Sequence, residues 1–155
     1  MKTVIILNNP SFGEKNYYVI TEVNRLVSQV NECISICPIN LSPEVVEIKS
    51  AVINPSDLDS FKDGMIIALD TESAKEIINI HTNSIKVLFL WELDWLGTNF
   101  NYSDLINVLT SDIQILVRTE EHQEVLQKLS GKKPKILNQF NLEQIWNSLN
   151  VTEIE

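Results

Sequence analysis

Two indoles and two carboxylates fall within five residues at Trp91-Glu92-Leu93-Asp94-Trp95, at the end of the apolar run Ile85 to Trp91. Indole faces stack on sugar rings, and carboxylates accept hydroxyl hydrogen bonds or serve as a general base. Glu92 and Asp94 are therefore the candidate catalytic residues, and Trp91 a candidate ligand platform. The competing structural role is that the indoles cover a sheet end while the acids stay solvated. A second cluster, Arg118-Thr119-Glu120-Glu121-His122, follows the apolar run Ile113 to Val117. Arg118 suits a phosphate or carboxylate. Thr119 suits a helix N-cap, and the acids after it suit the helix dipole. A third, Asn8-Asn9-Pro10-Ser11-Phe12-Gly13, offers the Ser11 hydroxyl and the Gly13 amide to a ligand.

Other chemistries are excluded by what these segments lack. The Asn8 to Gly13 loop has one glycine, so it is neither a dinucleotide fingerprint nor a P-loop. No acid follows the second strand at Pro38-Ile39-Asn40 to hold a ribose. Two histidines, His81 and His122, support no serine-histidine-acid triad. Asp70 is a possible base, but an acid leading a loop into a helix is common. Cys33 and Cys37, on one side of a strand, would lie about 13 Å apart. That exceeds the roughly 7 Å between Cα atoms that a disulfide tolerates, so both read as reduced core thiols. No metal site and no cofactor are expected.

Periodicity supplies the elements that must position these residues. Strands are read at Val4–Asn8, Cys33–Ile39, Ser50–Ile53, Met65–Leu69, Ile85–Trp91, Ile113–Val117 and Lys135–Leu137. Helices are read from about Tyr17 to Asn31, from Glu72 to about His81, at Ser103–Leu109, at Glu120–Leu129 and after Asn141. Helix one carries Ile20, Val23, Leu26, Val27 and Val30 on one face. The helix at Glu120 stops at Gly131 with Lys128 in its last turn. The last helix has Asn141 as cap, Gln144 as capping-box partner, and Phe140 with Ile145 as hydrophobic staple. Continuously apolar strands need cover on both faces. The expectation is a single three-layer, Rossmann-like α/β domain over residues 1–150, with a doubly wound, mostly parallel sheet and strand one central. Residues 151–155 are expected to fray as an acidic tail.

Ligands of such sheets bind outside the strand carboxyl ends. That rule selects Ser11, Gly13, Trp91, Glu92, Asp94 and Arg118 together. The net charge of −9, from 12 basic and 21 acidic residues, argues against binding a nucleic-acid backbone. No apolar run approaches the roughly 18 residues of a membrane span. Met1 to Leu7 lacks a signal-peptide cleavage site, so a cytoplasmic location is expected.

The order of elements adds a resemblance. The segment Lys86-Val87-Leu88-Phe89-Leu90-Trp91-Glu92-Leu93-Asp94-Trp95-Leu96 resembles a strand and loop in the N-terminal half of GT-B glycosyltransferases, in versions associated with tailed bacteriophages. Ile115 to His122, followed by Lys132 to Phe140 and the helix at Asn141, is similar to the last strand, helix and linker of that half. In that family the donor sugar is held mainly by a second half, across a cleft, and the sequence stops where the first half ends. The resemblance thus implies a domain that binds a sugar or sugar-bearing acceptor and is inactive alone. Its partner would be a donor-half polypeptide or a second copy, in the host cytoplasm if phage-encoded. The alternative is a non-enzymatic acidic interaction protein of a phage on the same fold. A flavodoxin-like module fits less well, because Pro10 to Asn16 lacks the serine- and threonine-rich flavin phosphate loop.

Overall fold

Strands without polar alternation cannot face water on either side, and the chain answers with helices on both. The computed structural model describes residues 2–7, 13–30, 33–40, 47–97 and 99–150. The elements are β1 (Thr3–Leu7), α1 (Glu14–Val30), β2 (Ile34–Pro38), β3 (Ala51–Val52), β4 (Met65–Ala68), α2 (Thr71–Ile78), β5 (Ile85–Leu90), α3 (Tyr102–Thr110), β6 (Gln114–Val117), α4 (Glu120–Ser130), β7 (Lys135–Ile136) and α5 (Leu142–Asn150). All seven strands run parallel in one sheet, in the order β3-β2-β1-β4-β5-β6-β7. This is the doubly wound, Rossmann-like architecture expected. β1 is interior, third in the order, and β4 takes the middle place.

The interior strands divide their side chains between two cores. Val4, Ile6, Ile66, Ala68, Leu88, Leu90, Ile115 and Val117 pack against α2, α3 and α4 through Ala74, Ile77, Leu105, Val108 and Leu126. Ile5, Ile34, Ile36, Met65, Ile67, Val87, Phe89 and Leu116 pack against α1 and α5 through Val19, Ile20, Val23 and Ile145. The Phe140 ring meets Phe89 edge-on, 5.3 Å between centroids, so the staple residue also anchors α5 to β5. The caps form where the sequence puts them. Thr119 Oγ1 accepts from His122 N, Asn141 Oδ1 accepts from Gln144 N, and Gly131 ends α4 at φ 73°.

Four expectations are corrected in detail. α1 begins at Glu14 rather than Tyr17, and α2 ends at Ile78, which leaves His81 exposed outside it. β3 is only two exposed residues at the sheet edge, a length that blunts pairing with another chain. Cys37 is a buried core thiol, held to about pKa 11 by desolvation and then by nearby Asp57. Cys33 is not a core thiol: it precedes β2 and its side chain is exposed, although its carbonyl accepts from Thr3 N of β1 at 2.9 Å. Asn8 and the tail at 151–155 lie outside the described residues.

The parallel topology also sorts the charges. Every helix starts at the carboxyl edge of the sheet, and every one has an acid in its first turn: Glu14, Glu72, Asp104, Glu120 with Glu121, and Glu143. At the opposite edge, lysines bond the carbonyls where helices end. Lys86 Nζ donates to Ile78 O, Lys132 Nζ to Ser111 O, and Lys135 Nζ to Ser148 O. Both patterns complement the helix dipole. Among the described residues, no helix is long and apolar enough to cross a membrane.

Candidate functional site

Parity along the strands decides which side chains meet at the carboxyl edge. Val87 and Phe89 face the α1/α5 layer, and Trp91, two residues on, continues that side. β5 and β6 pair with Leu90 opposite Val117, so the next residues out, Trp91 and Arg118, stand side by side. The guanidinium carbon of Arg118 lies 3.9 Å from the Trp91 ring centroid. Tyr18 of α1 stacks on the same indole, 5.7 Å between centroids and 21° between planes. These two neighbours leave Trp91 only 9% exposed, whereas Tyr18 is half exposed. Arg118 Nε donates to Asn138 O at 3.3 Å, which ties the pair to the loop between β7 and α5.

A groove of about 360 Å³ opens here. Its floor is Trp91 and Arg118. One wall is a stripe of α1, Glu14, Tyr18, Thr21, Glu22 and Arg25, and the other is Asn138 to Asn141. Arg25 and Arg118 are the chain's two arginines, and both line it. Arg25 grips both carboxylate oxygens of Glu22, at 2.8 and 3.0 Å, and reaches Gln29 Oε1 at 2.8 Å. The groove thus offers aromatic surface, primary amides, a hydroxyl and a planar cation, a set suited to a hydroxylated ligand with a polar substituent.

The other predicted site residues go elsewhere. Trp95 sits in a 3-10 turn (Asp94–Gly97) and packs against the α2–α4 core, so the two indoles lie on opposite sides of the sheet. Glu92 is exposed and outside the groove. Asp94 serves α2: its Oδ2 accepts from Thr71 N at 2.8 Å and Thr71 Oγ1 at 2.7 Å. Desolvation pushes its carboxyl above the ordinary range, against the pull of the Thr71 bonds, and nearby Asp70 pushes the same way while Lys15 opposes. Asp70 caps α2 by accepting from Ser73 N at 2.8 Å, and Lys15 Nζ reaches its other oxygen at 3.0 Å. The amino end of α2 lies at the switch point between β1 and β4, the crevice where open α/β sheets bind ligands. Here the protein's own carboxylates, Asp70 and Asp94, take the first amides of α2.

Gly13 precedes α1 and gives its carbonyl to Tyr17 N at 2.9 Å, and it does not line the groove. Ser11 lies outside the described residues. His122 is half-buried in the first turn of α4 and does not line the groove. No group of three or more His, Cys, Asp or Glu among the described residues is arranged to hold a metal ion. The structure therefore joins Trp91 with Arg118 and separates both from Glu92, Asp94 and Gly13. It adds the α1 stripe and the Asn138 to Asn141 loop. The stripe's positions, four, seven, eight and eleven residues after Glu14, recur with helical period beside the apolar face, which is the signal that marks it in the sequence. No family model, curated protein or solved structure matches the chain.

Proposed function

We propose that the chain is a sugar-binding α/β domain of the GT-B acceptor-side type, which holds its ligand in the Trp91–Arg118 groove and transfers no sugar alone. The observation that carries this reading is the groove, which opens at the strand carboxyl ends and is lined by half-exposed Tyr18, backed by the buried Trp91 ring, and by Asn138, Gln139 and Asn141. Such sheets bind ligands at that edge. An exposed aromatic ring such as Tyr18 and amide side chains are the groups that recognise a sugar ring and its hydroxyls.

The reading also assigns what the groove lacks. Neither acid the sequence nominates serves there as a base, since Asp94 is committed to α2 and Glu92 stands outside. Of the groove's own acids, Glu22 is held by Arg25 and Glu14 is exposed at the start of α1. A donor-binding half, from another polypeptide or a second copy, would complete the cleft. The test is incubation of the purified protein with a panel of nucleoside diphosphate sugars. The expected result is release of nucleoside diphosphate no faster than in buffer. Turnover that Glu92→Ala or Asp94→Ala abolishes would refute the proposal.

A second reading rests on the acids that open all five helices at this edge. In it, the same edge docks a basic partner, with an affinity that falls as salt is added.

A further inference from the structure

We infer that the ligand of the groove is an anionic sugar, a sugar phosphate or a uronic acid, whose charged group is received by Arg118. The inference rests on the sugar-binding reading above and adds a charge to the ligand.

The chain carries nine negative charges in excess, so a cation has carboxylates to choose from. Arg25 has taken Glu22, Lys15 has taken Asp70, and Lys75 lies between Glu72 and Asp104. Arg118 differs. Among the described residues no carboxylate pairs with it, and its one hydrogen bond runs from Nε to Asn138 O. Its two terminal nitrogens therefore have no described protein acceptor.

The guanidinium is nevertheless held. Its carbon lies over the Trp91 ring at 3.9 Å, and its Nε is bonded to Asn138 O, so two contacts hold the group. A planar fork held in this way, with its outer edge unused, is the geometry that takes carboxylate or phosphate bidentately. A lysine ammonium on the same stem would neither stack as well nor present two parallel donors. The side chain is half-buried, so solvent screens the charge less than on an open surface. The amino end of α5, whose cap Asn141 lines the same groove, adds the positive end of a dipole.

The experiment titrates the purified protein calorimetrically with glucose 6-phosphate, glucuronate, glucose and inorganic phosphate at fixed ionic strength, for the natural sequence, Arg118→Gln and Arg118→Lys. Thermal melts confirm that the variants fold. One or both charged sugars should bind about tenfold or more tighter than glucose and than phosphate alone, and the stronger of the two names the anion. Arg118→Gln should reduce that ligand to the affinity of glucose, and Arg118→Lys should recover only part of the loss. Glucose binding as tightly as both charged sugars, or a preference that survives Arg118→Gln, would overturn the anionic ligand and leave the sugar site standing. Inorganic phosphate binding as tightly as the sugar phosphate would reduce the site to an adventitious ion only. No binding of any of the four at about 10 mM would overturn both readings.

Discussion

Replacing Gly64 by alanine should cost about 3 kcal/mol or more of folding stability. Gly64 has φ 122°, and a Cβ built on it would stand 2.2 Å from the main-chain oxygen of Lys2. That oxygen already accepts from Met65 N at 3.1 Å, and Gly64 O accepts from Ile85 N at 2.9 Å. The glycine thus sits where β1, β4 and β5 begin, and moving either backbone pulls on the ladders of three strands. Gly131 provides the control. Its φ of 73° also disfavours a side chain, yet a Cβ there meets nothing within 4 Å. Gly131→Ala should cost only about 1 kcal/mol. Urea unfolding of both variants checks the contrast. Equal losses, or a loss below about 1 kcal/mol at Gly64, would mean the close approach to Lys2 is not a constraint.

Asp94 should separate the contribution of its oxygen from that of its charge. Asp94→Ala removes the acceptor for two donors of Thr71 and should cost about 1–2 kcal/mol. Asp94→Asn keeps an acceptor and sheds the desolvated charge, so at neutral pH it should cost less than alanine or be stabilising. The pH dependence has a definite sign. The folded carboxyl titrates above its ordinary value, so the folded state binds this proton more tightly than the unfolded state. The resulting stabilisation is complete below the ordinary carboxylate range and is lost as pH rises through the folded pKa. Asp94→Asn cannot lose it, so it should gain on the natural protein as pH rises from about 4 to 8. Unfolding midpoints across that range measure the difference. An asparagine variant that falls further behind with rising pH would contradict the desolvated-cap role.

The layers of the fold are legible because they depend on local pattern. Val4 to Ile6, Met65 to Leu69 and Val87 to Leu90 are apolar at every step, and only a sheet covered on both faces accepts that. Thr119, Gly131 and Asn141 act through hydrogen bonds within one helical turn, so their spacing is enough to place them. The site is less legible because its parts meet only across the sheet. Asp94 lies 23 residues from Thr71 in sequence, and nothing near either announces the contact. Trp91 and Trp95 look like one cluster until strand parity and the 3-10 turn send them to opposite cores. Gly64 is required by the oxygen of Lys2, a residue 62 positions away. Arg118 and Trp91 could be nominated singly, but their stacking follows from the register of β5 on β6.

Adding glucuronate or glucose 6-phosphate while following amide and indole chemical shifts most directly tests whether the Trp91–Arg118 groove holds the ligand. The largest shifts should fall on the Trp91 indole N–H, on Thr21 and Arg25 of α1, on Arg118, and on Asn138 to Asn141. Shifts concentrated at Lys62, Lys86 and Asp112 on the opposite edge, or at Asp70 and Thr71 with the groove silent, would contradict it.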